Sequence, residues 1–183
     1  MSTYCQFVAN LPQDTTNPNK QYHDYHYGFD INDDNELFER LVLEINQAGL
    51  SWTTILNKQQ AFKKAYHQFN IKKVANYKEA DIERLLNDAG IIRNKLKINA
   101  AIYNANIILG LQKEYCSFKN WLLHHHPLSK AEWVKLFKKH FKFTGGEIVG
   151  EFLMSIGMLP GAHSTECPTY ATILEQNPLW NNH

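Results

Sequence analysis

The 183-residue sequence lacks the features that mark membrane, secreted and repeat proteins. No stretch approaches the roughly eighteen consecutive apolar residues of a membrane-spanning helix, so we expect no membrane partner. The first ten residues, MSTYCQFVAN, have no basic segment followed by an apolar run, and we therefore expect a cytoplasmic protein. Three cysteines in such a chain argue against a disulfide framework. What remains is a soluble globule of ordinary composition.

Basic residues are absent from whole segments of the chain. Residues 143–183 contain no Lys or Arg, and residues 1–57 hold two basic side chains against eight acidic ones. Residues 58–97, by contrast, hold ten basic side chains against four acidic ones, and a second basic cluster lies within residues 130–142. Such segregation is typical of a polyanion-binding face, although solvated helix faces that never meet in space would give the same count.

Alternating strand patterns are scarce, and helical periodicity dominates. One apolar face, behind a cap at Asp33 or Asp34, predicts a first core helix; its members are Leu37, Phe38, Leu41, Val42, Ile45 and Ala48. Further helices are predicted after Ser51, around residues 82–86, from 94 to 111, after a capping box formed by Ser129 and Glu132, and from 146 to 158. The first and last segments look irregular, and residues 12–21 resemble a surface loop. We expect an all-α protein with one unit over residues 1–183 and a helical core at about 33–142.

The segment LNDAGIIRNKLKI, residues 86–98, joins two helical patterns through a tight turn. Gly90 can adopt a positive φ there, and basic residues open the second helix. Unpaired amides at a helix N-terminus can bind a phosphate oxygen, with Lys95 or Lys97 adding charge from the side. The alternative is an ordinary corner between two helices in which Gly90 only ends the first one.

Two pairs of soft ligands lie near opposite ends of the sequence. Cys5 and His23 form one pair, and His163 and Cys167 form the other. Four such side chains suit tetrahedral zinc, which would tie two weakly anchored segments together. The alternative is that they are isolated core residues, which is the commoner fate of single His and Cys side chains. Cys116 is left over in either case.

The third group combines a carboxylate with aromatic residues. Glu44 lies near the end of the first core helix, Trp52 follows just after the turn, and Tyr22 and Tyr27 lie upstream. Aromatic rings beside a carboxylate can form a slot for a flat cation by stacking and charge pairing. The alternative is that Trp52 belongs to the core and Glu44 to a solvated face.

Taken in order, four segments resemble the 3-methyladenine DNA glycosylase I family: YHD at 22–24, QAGLSW at 47–52, DAGIIRN at 88–94 and FKF at 141–143. The resemblance implies the all-α helix-hairpin-helix glycosylase fold, with the hairpin near residues 81–107, and a monomer acting on double-stranded DNA that contains alkylated bases. It implies one structural zinc, held by Cys5, His23, His163 and Cys167, that joins residues 1–32 to 143–183. It requires no catalytic metal or organic cofactor.

The resemblance also assigns roles to individual residues. Glu44 would be the catalytic residue, a carboxylate that contacts the base. It would not donate a proton, because the leaving group is already labile. The base-binding residues would be Tyr22, Trp52, Tyr27 and Phe7, and the DNA-binding residues Gly90, Ile91, Arg93, Lys95 and Lys97. The reaction would be monofunctional, releasing 3-methyladenine by base flipping and hydrolysis.

The sequence also departs from the family pattern. His26 and Tyr27 replace an acid and a Trp, and Phe7 stands where the family often has Trp. Gly145–Glu147 and Gly150–Glu151 replace residues richer in hydroxyls and aromatics, and residues 158–162 lengthen the approach to His163. Two alternatives follow: a zinc-stapled module that binds damaged DNA without excising a base, and a helical domain that binds an acidic protein.

Overall fold

The computed structural model describes residues 3–12 and 14–181, which form helices and loops without any β-strand. No helix in this part of the chain has the length and apolar character needed to cross a membrane. A single 3₁₀ turn, Leu179–Asn181, follows the last of the α-helices, which are α1 Tyr4–Ala9, α2 Pro18–Tyr25, α3 Asp34–Gln47, α4 Trp52–Ala65, α5 Ile71–Ala75, α6 Glu79–Asn87, α7 Lys95–Tyr115, α8 Phe118–His125, α9 Lys130–His140, α10 Gly146–Ser155 and α11 Pro168–Glu175.

Side-chain caps set the starts of the helices that the sequence predicts. The Asp33 carboxylate accepts from the Glu36 amide at the start of α3, and the Ser51 hydroxyl accepts from the Thr54 amide at the start of α4. Ser129 and Glu132 form the expected capping box. Each cap satisfies an amide that has no partner inside its own helix, so these predicted boundaries are confirmed.

The core lies around α7, which packs against α3, α5, α6 and α8. Helix α10 packs against α3 and α9, and α4 lies between α3 and α2. Large aromatic side chains fill the space between α8, α9 and α10, where Trp121 and Trp133 are almost fully buried. This packing holds α3 and α10 side by side, and their adjoining faces contribute to the cavity described below.

The prediction of irregular first and last segments is wrong. Helix α1 starts with a capping box between Thr3 and Gln6, and α2 begins at Pro18, inside the stretch expected to be a loop. Helix α11 begins with Pro168. Proline suits the first helical position because its missing N–H has no partner there. These helices have only six to eight residues, which is too short for helical periodicity to show in the sequence.

Candidate active site and DNA-binding surface

A cavity of about 500 Å³ opens between the start of α1, the C-terminal half of α3 and helix α10. Helices α2 and α4 close its other sides. Its lining combines aromatic rings with two carboxyl groups; the residues that matter below are Tyr4, Tyr22, Tyr27, Glu44, Trp52 and Glu151. The structure thus brings together four of the five residues that the sequence assigns to base binding and catalysis.

Glu44 contributes a buried carboxyl group to the lining of this cavity. Its side chain is only 4% exposed, and within the described residues its carboxyl group has no hydrogen-bond or ion-pair partner. Burial raises the pKa of Glu44 to about 8, the Arg40 guanidinium opposes that rise, and Glu151 adds to it. A buried carboxyl without a partner is costly to ionise, so the cavity favours a ligand that brings positive charge.

Three aromatic rings line the same cavity as Glu44 and pack against one another. The ring centroid of Tyr22 lies 5.0 Å from that of Trp52 and 5.5 Å from that of Tyr27. Arg40 fixes the Tyr22 ring, because its Nη1 donates to the Tyr22 hydroxyl at 3.2 Å and its guanidinium lies 4.9 Å from the ring centroid. These rings pack against one another at tilted angles and give the cavity an aromatic wall on which a flat, electron-poor ligand can stack.

Phe7 lies elsewhere than the sequence places it. It is exposed and does not line the cavity; instead it stacks on Tyr4 with ring centroids 6.1 Å apart. Tyr4 itself lines the cavity and meets Tyr27 edge-on at 5.6 Å. We therefore remove Phe7 from the base-binding set and put Tyr4 in its place. The burial of Cys5 and Val8 turns α1 so that Tyr4 faces inward.

The turn between α3 and α4 carries an exposed apolar side chain close in sequence to two residues that line the cavity. Gly49 has a φ of 84°, a left-handed conformation that favours glycine. Leu50 follows it and is 41% exposed, between Gln47 and Trp52, which both line the cavity. The sequence analysis quoted Leu50 within QAGLSW but gave it no role.

The predicted hairpin is present, with α6 and α7 joined by residues 88–94. The expected positive φ at Gly90 is wrong, because its backbone lies outside the left-handed region. A Cβ there would lie 3.0 Å from the Ala61 Cβ, so the glycine allows the hairpin to pack closely on α4. Its amide donates to the Asp88 carboxylate at 2.8 Å, which leaves Gly90 without a free amide for a phosphate.

The remaining hairpin residues divide between surface and interior. Arg93 and Lys95 are exposed, and the Lys95 ammonium lies 3.4 Å from Glu79 Oε1. Ile91 is buried, so it offers no side chain to DNA. The Asn94 side chain caps the Lys97 amide at 3.1 Å, leaving the first-turn amides of Lys95 and Leu96 for an external acceptor.

Lys97 does not present its charge to solvent. Only 9% of the residue is exposed, and its ammonium donates to the backbone carbonyls of Asn46 at 3.1 Å and Ala48 at 3.3 Å. Burial lowers the pKa of Lys97. The expectation that Lys97 adds charge beside a phosphate is therefore corrected, because the side chain binds the C-terminal end of α3.

The four expected metal ligands converge. The ligand atoms of Cys5, His23, His163 and Cys167 lie within 4.8 Å of one another. His163 Nδ1 is 3.6 Å from both sulfurs, and His23 Nε2 is 3.7 Å from Cys167 Sγ. Tetrahedral zinc, with bonds of about 2.3 Å to sulfur and 2.0 Å to nitrogen, would place such atoms roughly 3.5 Å apart. The donor set and its spacing therefore fit a metal ion.

The second nitrogen of each histidine also has a partner. His163 Nε2 donates to the Tyr27 carbonyl at 2.7 Å, and His23 Nδ1 donates to Asp24 Oδ1 at 2.6 Å. Such bonds fix the ring orientation and direct the other nitrogen toward the centre of the cluster. The bond to Tyr27 also connects the cluster to the wall of the cavity.

Comparison with known proteins agrees with this geometry. A DNA-3-methyladenine glycosylase of Haemophilus influenzae is 32% identical, over 80% of this chain and 89% of its own length. DNA-3-methyladenine glycosylase 1 of Escherichia coli is 36% identical, with 81% and 89% covered. A crystal structure of a 3-methyladenine DNA glycosylase I is similar with a TM-score of 0.75 and 34% identity, covering 87% of this chain and 96% of that one.

A second solved structure, from a study of 3-methyladenine recognition by the Staphylococcus aureus enzyme, gives a TM-score of 0.78 at 29% identity, with 91% and 97% covered. Residues 13–132, well over half of the chain, match the family model described as methyladenine glycosylase. Together with the helical fold and the cavity around Glu44, this match shows that the chain belongs to the methyladenine glycosylase family.

Proposed function

We propose that this chain is a monofunctional DNA glycosylase that extrudes 3-methyladenine from double-stranded DNA and hydrolyses its glycosidic bond. The observation that carries the proposal is the Glu44 carboxyl, buried without a partner in an aromatic cavity. Relatives named for this activity cover most of the chain. The cavity, the hairpin and the exposed turn all lie on one chain, so a monomer suffices.

The chemistry suits an acid that does not transfer a proton. Methylation at N3 makes the adenine ring cationic, so the glycosidic bond is weakened and the base leaves as a neutral molecule. Ionised Glu44 would hold the cation in place and stabilise positive charge developing on the sugar. Water would then attack C1′ and leave an abasic site. Tyr22 and Trp52 supply stacking worth about 1–3 kcal/mol per base.

The proposed DNA-binding surface consists of the hairpin and the turn between α3 and α4. Arg93, Lys95 and the first amides of α7 are available to DNA phosphates. Leu50 is exposed on a turn between two residues that line the cavity, and it would fill the gap that an extruded base leaves in the stack. Extrusion costs a few kcal/mol, and an apolar wedge offsets part of that cost.

We further propose that the metal is a structural zinc held by Cys5, His23, His163 and Cys167. Zinc with four protein ligands supplies a cross-link and no open coordination position. It would join α1 and α2 to the segment before α11, and so fix the side of the cavity formed by Tyr4 and Tyr27. The support for zinc is the ligand set, its spacing and the second-nitrogen hydrogen bonds.

A base-release assay tests the function. Duplex DNA treated with a methylating agent is incubated with the protein, and the free bases are separated by chromatography. We expect 3-methyladenine in the parent reaction, and much less with Glu44→Gln, while both proteins bind undamaged duplex equally. Binding to methylated DNA without base release would instead support a damage-binding module. Absence of any salt-dependent DNA binding would support a protein-interaction domain.

A further inference from the structure

A second carboxyl group, that of Glu151, shares the cavity with Glu44. Glu151 lies on α10, whereas Glu44 lies on α3, and the two helices pack against each other. The Tyr27 hydroxyl donates to Glu151 Oε2 at 3.2 Å, which orients the carboxyl group. The sequence analysis noted Gly150 and Glu151 only as departures from the family pattern and assigned Glu151 no role.

Neither carboxyl group has a cationic partner within ion-pair distance in the described part of the chain. The Lys130 ammonium, which favours ionisation of Glu151, lies 3.6 Å from Glu147 Oε1. Arg40, the cation near Glu44, directs its Nη1 to the Tyr22 hydroxyl and to the Ser155 carbonyl at 3.2 Å. The two acids therefore line the cavity without a direct ion pair to neutralise them, and Arg40 and Lys130 act on them only from a longer distance.

Glu151 disfavours the ionisation of Glu44 in the cavity that they share. Burial is the first cause of the raised pKa of both Glu44 and Glu151, and Glu151 contributes to the rise at Glu44. A cation bound in the cavity would relieve both the desolvation and the repulsion. A neutral ligand of the same shape would relieve neither, so the second acid increases the difference between the two ligands.

We propose that Glu151 is a specificity-determining residue of the base pocket, which selects the positively charged alkylated base over a neutral purine at a point separate from Glu44. This inference rests on the proposed function. It identifies the ligand class of the pocket as cationic N-alkylated purines, recognised by two carboxylates from different helices. Tyr27 acts as the positioning residue that directs Glu151.

A pair of small ligands separates charge from shape. The 3,9-dimethyladeninium ion carries a fixed positive charge, and 9-methyladenine is a neutral purine that differs by one methyl group and that charge. Each is titrated calorimetrically into the full-length protein. We expect Glu151→Gln to weaken binding of the cation about tenfold or more, roughly 1.4 kcal/mol for each factor of ten, while the weak binding of 9-methyladenine stays the same.

Glu175→Gln is the matched control, because Glu175 is exposed on α11 and does not line the cavity. It should bind both ligands as the parent does, and Glu151→Asp should recover part of the preference for the cation. Unchanged cation binding in Glu151→Gln, with a loss in Glu44→Gln, would overturn the inference and leave the proposed function intact. Equal loss of both ligands in Glu151→Gln would assign it a role in pocket shape and overturn the inference. A parent protein that neither binds the cation nor releases 3-methyladenine would overturn the proposed function itself.

Discussion

The ammonium of Lys97 lies 3.1 Å from the carbonyl oxygen of Asn46. Lys97 belongs to the first turn of α7, the second helix of the hairpin, whereas Asn46 lies two residues after Glu44 in the last turn of α3. A buried cation at the C-terminal end of a helix satisfies free carbonyls and interacts favourably with the helix dipole. The bond therefore fixes the proposed DNA-binding hairpin relative to the helix that carries Glu44.

Replacing Lys97 by Met should separate this structural role from DNA binding. Met keeps much of the apolar stem but leaves the Asn46 and Ala48 carbonyls without a donor, so we expect a loss of about 1–3 kcal/mol in the free energy of unfolding. Urea unfolding measures it. Base release should fall more than affinity for undamaged duplex. Unchanged stability together with a flatter salt dependence of binding would show that Lys97 contacts DNA instead.

The exposed basic residues of the hairpin should behave in the opposite way. Lys95→Met and Arg93→Met remove charges at the surface, so each should weaken duplex binding at every sequence and lower the slope of log K against log salt by about 1. Stability should hardly change, because Lys95 pairs only with exposed Glu79. Titrations at several salt concentrations decide it. Equal slopes in parent and variants would show that the hairpin is only a corner between two helices and does not bind DNA.

Glu44 should make the stability of the ligand-free protein depend on pH. Its pKa is about 8 in the folded protein, against an ordinary value of 4.5. Between these values the unfolded chain has lost the proton that the folded protein keeps, so stability falls as pH rises and levels off above about pH 8. Glu44→Gln removes this dependence. The free energy of unfolding of the variant, relative to that of the parent, should therefore rise by a few kcal/mol between about pH 5 and pH 8. Unfolding curves of the two proteins that shift in parallel with pH would rule out a raised pKa.

The proposed zinc site is tested by the metal content of the protein and by one pair of cysteine variants. The purified parent should contain one zinc per chain, and Cys167→Ala should contain less and melt at a lower temperature, since about 1 kcal/mol shifts Tm by roughly 2–4 °C in a chain of this size. Cys116→Ala is the control, because Cys116 is exposed and outside the cluster. A folded, metal-free parent with unaltered Tm in the presence of a chelator would refute the site.

Leu50 should matter only where a base has to leave a duplex. Leu50→Ala should lower the rate of 3-methyladenine release from duplex DNA several-fold, while binding of the 3,9-dimethyladeninium ion and Tm stay close to those of the parent. Leu123→Ala is the matched control, since Leu123 is similarly exposed, at 39%, on α8. If both variants release the base at the parent rate, the wedge role of Leu50 is wrong.

The long helices could be predicted from the sequence because periodicity and caps agree there. Helix α3 begins behind Asp33 and buries five of the six predicted apolar residues, whereas the sixth, Ala48, is exposed just after the helix, and α9 begins with a capping box. Helix α5 spans only Ile71–Ala75, too short to show a period of 3.6 residues. Short helices of this kind depend on tertiary contacts, which a local pattern does not contain.

The site residues were predictable where their role depends on residue type. They were not predictable where the role depends on the direction in which a side chain points. Glu44, Tyr22, Tyr27 and Trp52 meet as expected, but Lys97 looked like one more basic residue in a basic segment. The helical spacing indicates that Lys97 lies on the buried face of α7, because Ala101 and Asn104, four and seven residues later, are buried on the same side. Glu151 was missed because only the packing of α10 on α3 brings it to the cavity.

The contact between Cys5 Sγ and His163 Nδ1 spans 158 residues of sequence, and this has a consequence for synthesis on the ribosome. Helices α3 to α9 can form while the chain is still being made, but the wall containing Tyr4 and Tyr27 cannot be fixed until residue 167 has left the exit tunnel. Helix α1 is therefore held in place only after the segment before α11 has been synthesised. Under the proposed function, a chain that ends before residue 163 keeps the basic hairpin but lacks a finished base pocket, so it would bind DNA without releasing a base.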